Sequence, residues 1–202
     1  MMNNPLDTPW KLWNRFGAWF SWPVVRVLFL LNGINWGKGW RFYGVPILQR
    51  HKKSKMVFGD YMQLRSTHRS NPLGPNHPVF ITTWHEKAEL KIGEYFAMTG
   101  GTICAAERIL IADYVTVGAN VTIIDTDFHP IDPSRRLSDS GSGNTAPVVI
   151  DKNVFIGMNS LILKGVHIGE DSVIGAGSVV TKNIPARTIA AGNPAKIIKE
   201  IS

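Results

Sequence analysis

An aliphatic residue returns at every sixth position between residues 150 and 180 of this chain. A period of six fits no α-helix, whose apolar residues recur about every 3.6 positions, and it exceeds the two-residue alternation of a simple amphipathic strand. Two shorter series precede it and end at Ile123 and Cys104. The main series consists of Ile150, Ile156, Ile162, Ile168, Ile174 and Val180. Such a repeat predicts a solenoid, in which each coil packs only on its neighbours.

Each hexad is interpreted as one short strand followed by a corner. Three hexads complete one coil, the aliphatic residue points into the interior, and successive coils stack at roughly 4.8 Å, the spacing of paired strands. Glycine, aspartate and asparagine after the aliphatic position supply the tight corners. Cys104 falls on an inward position of this pattern, so we expect it to be a core residue rather than a nucleophile. The predicted fold class is an all-β solenoid, a parallel β-helix.

Two polar segments interrupt the repeat. The first, STHRSNPLGPNHP, covers residues 66–78, and the second, HPIDPSRRLSDSGSGNTAPVV, covers residues 129–149. Long polar excursions from a rigid scaffold are exposed and often carry function. We therefore expect the chemistry of the protein to lie near one of these loops.

The sequence divides into three parts. Residues 1–44 form an aromatic, basic segment that we expect to be an amphipathic helix, either on a membrane surface or packed on a trimer. The β-helix is predicted for residues 45–193. Residues 194–202 depart from the hexads, and the spacing of apolar residues from Ala195 to Ile201 predicts a short C-terminal helix that closes the coil.

Charge is distributed unevenly along the chain. Residues 1–78 carry 11 Lys and Arg against 2 Asp and Glu, whereas residues 79–202 carry 11 against 13. A basic front half suggests an anionic partner. Six of the seven tryptophans also lie in the first 40 residues, which favours a membrane surface over nucleic acid. The simpler interpretation is a basic, apolar cap on the domain.

The lipophilic run of residues 16–31 is short for a membrane span, and Pro23 and Arg26 interrupt it. A helix that lies in the plane of the interface fits it better. The single Cys104 excludes an intrachain disulfide, and no leader peptide is recognisable after Asp7. We expect a cytoplasmic protein, peripheral at the inner face of the membrane.

Two stretches carry a resemblance to a known family. They are VGANVTIIDTDFHP, residues 117–130, and NVFIGMNSLILKGVHIGEDSVIGAGSVVTKNIPARTIAAGNPAKIIKEI, residues 153–201. The chain resembles the hexapeptide-repeat acyltransferases with a left-handed parallel β-helix, and within them the galactoside, maltose and nodulation O-acetyltransferases. The aromatic N-terminal segment further resembles the branch that serves capsule, exopolysaccharide and O-antigen biosynthesis.

This resemblance implies transfer of an acetyl group from acetyl-CoA to a sugar hydroxyl by a homotrimer with active sites between adjacent coils. The position that matches the family's general base is His129, whose imidazole is suited to accept the proton of the hydroxyl near neutral pH. Asp125 and Asp127 lie two and four residues upstream, and either could orient the ring through its second nitrogen. The sequence does not choose between the two carboxylates.

Other roles are carried over from the family position by position. The backbone N–H of Met158 matches the donor to the thioester oxygen, which would stabilise developing negative charge. The positions that match contacts to CoA are Phe155, Gly157, Ala176, Thr181, Lys182 and Lys199. The family places an asparagine against the acceptor, and the matching positions here are Met98 and Thr99, which puts a simple galactoside or maltose acceptor in doubt.

Other functions remain open at this stage. The donor could be a different acyl carrier, the acceptor could be an amine, or the β-helix could be a non-catalytic scaffold. A zinc hydrolase is disfavoured because His85, His129 and His167 are too scattered to form a three-histidine ligand set, and no metal is expected. The expected partners are a sugar, free or linked to a lipid or nucleotide, and two further copies of the chain.

Overall fold

A computed structural model describes residues 8–139 and 143–202, in which three parallel sheets wrap around one interior. The strands are numbered in chain order. The first face contains β1 (Arg41–Tyr43), β4 (Gln63–Arg65), β7 (Ala97–Thr99), β10 (Thr116–Val117), β13 (Phe155–Ile156), β16 (Val173–Ile174), β18 (Thr188–Gly192) and β19 (Ala195–Glu200). The second face contains β2 (Ile47–Arg50), β5 (Phe80–Thr83), β8 (Thr102–Ala105), β11 (Thr122–Ile124), β14 (Leu161–Ile162) and β17 (Val179–Val180). The third face contains β3 (Lys55–Phe58), β6 (Glu89–Ile92), β9 (Arg108–Ile111), β12 (Val148–Ile150) and β15 (His167–Ile168).

From β1 to β14, each strand pairs in parallel with the third strand after it, which is the topology of a three-sided β-solenoid. Ile150 pairs with Ile168, 18 residues further on, so three hexads complete one coil as the sequence predicts. Ile156 and Ile174 pair in the same way on the first face, and all four side chains are buried. Burial of a side chain of this size contributes about 1.5–3 kcal/mol, so each coil adds a comparable increment of stability.

The corners use left-handed backbone at non-glycine residues. Tyr61, Tyr95 and Tyr114 occupy equivalent corners of three successive coils, each with φ near 60°. Their rings stack in parallel, with centroids 4.5 Å apart for Tyr61 and Tyr95 and 4.8 Å apart for Tyr95 and Tyr114. These distances match the spacing of paired strands, so the ring column follows the coil repeat.

The N-terminal helix α1 (Pro9–Leu31) packs on the first coil, which confirms the predicted helical segment. It begins with proline in its first turn and ends at Asn32 and the left-handed Gly33, which satisfies the last carbonyls of the helix. Phe29 is fully buried, and its ring contacts those of Phe42 and Phe58 in the coil. No helix within residues 8–139 and 143–202 is both long and apolar enough to cross a membrane.

The predicted domain boundaries shift in the structure. The coil begins at Arg41, inside the predicted 1–44 segment, because Arg41–Tyr43 pairs with Gln63–Arg65. The 66–78 excursion leaves the coil as predicted and contains a short 3-10 turn at His68–Ser70. The second excursion also contains a 3-10 turn, Pro133–Arg135, and returns to the coil at Val148. Residues 1–7 and 140–142 of these predicted segments lie outside the described residues.

The predicted C-terminal helix is wrong. Residues Ala195–Glu200 form strand β19, which turns back after Gly192 and pairs antiparallel with Thr188–Gly192. The last strand of a solenoid face would otherwise leave a row of unpaired backbone groups, and pairing along that edge satisfies them. Ile197 and Ile198 also favour a strand because they branch at Cβ.

Cys104 is buried, as predicted, but it does not face the interior. Ile103 pairs with Ile81 and Ile123, which form the inward column, while Cys104 pairs with Thr82 and Ile124. Successive side chains of a strand point to opposite sides, so the side chain of Cys104 lies on the outer side of β8. It is nevertheless buried from solvent. Burial, with a smaller effect of the Asp125 charge, raises the pKa of the Cys104 thiol to about 12. The thiol is therefore poorly suited to act as a nucleophile.

Candidate active site

The segment DTDFHP leaves the second face directly after β11, and its first carboxylate is structural. Asp125 is fully buried. Its Oδ1 accepts the N–H of Ala106 at 2.6 Å, and its Oδ2 accepts those of Glu107 and Arg108 at 2.9 and 2.7 Å. Burial raises the pKa of the Asp125 carboxyl, and these N–H donors oppose the rise. Asp125 therefore holds the corner before β9, and its hydrogen bonds are directed away from His129.

The returning end of the second excursion packs against this motif. The N–H of Asp127 donates to the carbonyl of Asn144 at 3.0 Å, and that of Ala146 donates to the carbonyl of Asp125 at 3.0 Å. A Cβ on Gly143 would lie 2.6 Å from the nitrogen of Phe128, so only glycine allows this close approach. The loop thereby fixes the backbone that precedes the histidine.

Asp127 faces a groove at the edge between the second and third faces. Its Oδ2 is shielded from solvent and lies 3.3 Å from Nζ of Lys164, close enough for an ion pair, but it accepts no hydrogen bond from the described residues. The groove has a volume of about 390 Å³ and is lined by Ile124, Thr126, Asp127, Phe128, Leu163, Lys164 and Thr181. An oriented carboxylate with spare accepting capacity thus lies beside a cleft.

His129 is exposed at the same edge. Its backbone N–H donates to the carbonyl of Asp127 at 2.7 Å, which turns the chain outward. No hydrogen bond joins its ring to any of the residues that the structure describes. Because the carboxylate of Asp125 is fully engaged elsewhere, Asp127 is the remaining candidate for orienting this ring.

Sequence reasoning missed two groups near the histidine. Lys164 follows β14, one coil beyond Asp127, and only the pairing of β11 with β14 places the two together. Trp84 follows β5 and is half exposed, and its ring meets the edge of Phe128 at a centroid distance of 6.2 Å. Neither proximity has a local sequence signal, because both depend on which coils are neighbours.

The predicted oxyanion donor lies at a different edge, between the first and second faces. Gly157, Met158 and Asn159 form the corner between β13 and β14. The N–H groups of Gly157 and Asn159 donate to neighbouring coils, whereas that of Met158 donates to no partner in the described part of the chain. The corner of Ala176, in the next coil, has the same arrangement. A main-chain donor is therefore available at Met158.

One chain does not bring the base and this donor together. Met158 begins the second face, and the edge of His129 ends it. A strand and its corners separate the two edges, about 15 Å at the rise of a β-strand. Thr181 and Lys182 lie on the edge of His129. The other predicted CoA positions lie with Met158 on the first face or its corner with the second, namely Phe155, Gly157, Ala176 and Lys199.

The two predicted acceptor positions differ in the structure. Met98 pairs with Leu64 and Val117 in the buried inward column, so its prediction as an acceptor contact is wrong. Thr99 is buried as well, but its Oγ1 accepts a hydrogen bond from Nδ2 of Asn71 at 3.2 Å. Thr99 therefore supports the 66–78 excursion from below.

No group of three or more His, Cys, Asp or Glu within residues 8–139 and 143–202 is arranged to hold a metal ion. His167 instead places Nε2 2.7 Å from Oδ2 of Asp151 on the third face. The three-sided parallel coil, built from three hexads per turn, is the architecture of a hexapeptide-repeat solenoid.

Comparison with known proteins agrees with this class. Residues 147–182 match the family model described as a hexapeptide repeat of succinyl-transferase. A galactoside O-acetyltransferase of Escherichia coli is 41% identical over 108 residues, 54% of this chain and 52% of the relative. Another, of Lactococcus lactis, is 43% identical over 94 residues, 46% of this chain and 44% of the relative. The chain spans about half the length of these two curated relatives.

A solved structure supports the fold. The hexapeptide-repeat acetyltransferase of Vibrio cholerae, complexed with acetyl coenzyme A, superposes with a TM-score of 0.52 at 22% identity, over 86% of this chain and 74% of that chain. At this level of identity the likeness concerns the fold alone. The chain is therefore similar to hexapeptide-repeat acetyltransferases over about half of its length.

Proposed function

We propose that this protein is an acetyl-CoA-dependent O-acetyltransferase that acts on a sugar hydroxyl, with His129 as general base. The observation that carries the proposal is an exposed imidazole, without a described hydrogen bond, on the residue that follows Phe128 in the wall of the Asp127 groove. Relatives named galactoside O-acetyltransferase support the sugar acceptor. The coil is taken to be left-handed, as the family resemblance implies.

The proposed reaction is a direct transfer. His129 accepts the proton of the sugar hydroxyl while the hydroxyl oxygen forms a bond to the carbonyl carbon of the thioester. The carbon–sulfur bond then breaks, and His129 passes the proton to the departing thiolate of CoA. Asp127 is the positioning residue that orients the ring and offsets its positive charge. Lys164 lies within ion-pair distance of the same carboxylate, so it limits the negative charge that Asp127 presents to the ring.

The site is proposed to form between two copies in a homotrimer. The edge with His129, Thr181 and Lys182 would face the edge with Met158 of a neighbouring copy, because a single chain keeps them apart. The Met158 N–H would then donate to the thioester oxygen, a contribution of about 3 kcal/mol in comparable sites. The further contacts to CoA would come from Phe155, Gly157, Ala176 and Lys199.

The acceptor is proposed to be a lipid- or nucleotide-linked saccharide of cell-surface polysaccharide biosynthesis. Helix α1 leaves Trp13, Trp19, Phe20 and other large apolar side chains exposed, which suits contact with the inner face of the cytoplasmic membrane. Removal of residues 1–40 should abolish co-sedimentation with vesicles. Equal sedimentation of the truncated and full-length chains would contradict membrane contact.

The function is tested by incubating the full chain with acetyl-CoA and a panel of free, nucleotide-linked and lipid-linked sugars, followed by mass spectrometry. We expect one acetyl group on one acceptor class, and a loss of about 10²- to 10⁴-fold in kcat for His129→Ala with the assembly intact. His51→Ala is the matched control, since His51 is exposed at the same edge three strands away. Transfer to amines only, or full activity in His129→Ala, would overturn the proposal.

A further inference from the structure

A second, larger cavity lies at the opposite end of the coil from the C-terminal strand. It has a volume of about 720 Å³ and separates the first two turns of α1 from the chain that follows β4. Its lining residues are Thr8, Trp10, Lys11, Leu12, Asn14, Arg15, Tyr43, Arg65, Arg69, Ser70, Asn71 and Pro72. Four of these twelve side chains are cationic and none is acidic.

The cations in this cavity lack counter-charges. Lys11, Arg15 and Arg69 form no ion pair with any acidic side chain that the structure describes. The first turn of α1 holds no acidic residue, and Thr8 makes no side-chain cap. The positive end of the helix dipole therefore adds to the side-chain charges. Together these groups create a concave region of positive potential that selects anions.

Specific contacts shape the walls of the cavity. Nδ2 of Asn14 donates to the carbonyl of Arg69 at 2.8 Å, which ties α1 to the 66–78 excursion. The guanidinium of Arg65 lies 4.3 Å from the ring centroid of Tyr43 and donates to the carbonyl of Ser70. Arg65 is thus fixed in place, and it retains further N–H donors for a ligand. Arginine geometry suits the oxygens of a phosphate group.

The same helix carries a broad apolar surface beside the cavity. Trp13, Trp19 and Phe20 are 76%, 71% and 69% exposed, and an exposed apolar surface of this kind marks a site of interaction with a protein or a membrane. Leu30 and Leu31 extend this surface to the end of α1. A ligand of this region would therefore combine an anionic group in the cavity with an apolar phase against the exposed side chains of α1. A lipid bilayer supplies both, as anionic headgroups and as hydrocarbon chains.

We propose that this cavity is a phosphate-binding site for the headgroup of an anionic membrane phospholipid. The inference rests on the membrane contact proposed above and adds the chemistry of the ligand. Lys11, Arg15, Arg65 and Arg69 contact the phosphate oxygens, and the aromatic side chains of α1 enter the interface. The site sits at the end of the coil, separate from the groove beside Asp127.

Vesicle flotation of the full chain tests the site. The probes are vesicles of phosphatidylcholine alone and of phosphatidylcholine with phosphatidylglycerol. The test variant is Lys11→Gln/Arg15→Gln/Arg69→Gln, which changes exposed side chains, and the control, Lys52→Gln/Lys87→Gln/Lys91→Gln, removes the same charge from exposed lysines elsewhere. We expect the test variant to lose about 100-fold in affinity for anionic vesicles, as three basic residues at such a surface should contribute.

Several outcomes would overturn the inference. Equal losses in the two triple variants would mean a diffuse charge effect rather than a site. Parent-like binding of the test variant would exclude the cavity. If inorganic pyrophosphate raises the melting temperature of the parent chain but not of the test variant, and anionic vesicles do not bind, the cavity serves a soluble phosphate ligand rather than a lipid.

The readouts separate this inference from the proposals on which it rests. If the parent chain binds no vesicle at all, membrane contact itself is wrong. If it binds neutral and anionic vesicles equally, contact stands and the phosphate site fails. Acetyl transfer to a soluble sugar acceptor should be unchanged in the test variant, because none of the three residues lies near His129; that assay reports on the enzyme alone.

Discussion

Oδ2 of Asp127 and Nζ of Lys164 lie 3.3 Å apart, in neighbouring coils, at the edge from which His129 projects. The carboxylate has one basic partner at ion-pair distance, Lys164, and His129 lies two residues along the chain without a hydrogen bond to it in the described residues. Its proposed role as positioning residue therefore differs from a purely structural ion pair, and substitution of each partner distinguishes the two.

Asp127→Asn should lower kcat by at least about tenfold with little change in the KM for acetyl-CoA, because an amide cannot offset the charge on a protonated imidazole. Lys164→Met, which keeps the carboxylate, should retain kcat within about threefold. Steady-state kinetics on the acceptor found in the sugar panel provides both numbers. Equal losses of kcat in the two variants would mean that the ion pair is structural.

Asp125→Asn should destabilise the fold by about 2–3 kcal/mol. The amide replaces one carboxylate oxygen by a donor, which in either orientation faces at least one N–H group that now donates to the carboxylate. Urea unfolding at a fixed protein concentration measures the change. Asp132→Asn is the control, because Asp132 accepts from Ser134 in an exposed turn and should cost less than about 0.5 kcal/mol.

Cys104 should resist alkylation in the folded protein. With a pKa of about 12, only about one thiol in 10⁴ is ionised at pH 8, and the side chain is buried. Iodoacetamide should therefore label the native chain slowly and the urea-unfolded chain within minutes, as followed by mass spectrometry. Rapid labelling of the native protein would contradict both the burial and the raised pKa.

Two glycine-to-alanine substitutions should change stability in opposite directions. A Cβ on Gly157 would lie 2.5 Å from the nitrogen of Ala176 in the next coil, so Gly157→Ala should cost about 1–3 kcal/mol. Gly17 lies inside α1, and a Cβ there meets no atom within 4 Å. Gly17→Ala should stabilise the chain by up to about 1 kcal/mol. Thermal unfolding compares the two, and equal losses would refute the account.

The hexad period is sufficient to predict the coil, because a residue that faces the interior must recur once per strand and corner. It does not fix the direction of Cys104, since one residue fewer between Met98 and Ile103 shifts the register and only strand pairing reveals that shift. The C-terminal strand is also not predicted by the sequence pattern. Its apolar spacing suits a helix as well, and the unpaired edge of β18 decides the outcome.

The candidate active site can be predicted only in part from the sequence. His129 and Asp127 stand out through their motif, whereas the structural role of Asp125 depends on N–H groups 17 to 19 residues away in the chain. The basic cavity is less visible still, because Lys11 and Arg65 come together only when α1 folds back on the first coil. Periodicity predicts what repeats, and these contacts do not repeat.

The two ends of the coil differ from everything between them. Helix α1 covers the first coil through Phe29, and β19 closes the last by running against its neighbour. Interior coils contact only the coil above and the coil below, so the contacts within the interior do not determine the number of coils. Insertion of one more 18-residue turn would leave both closures intact, and in this architecture molecular length can evolve independently of the groove beside His129.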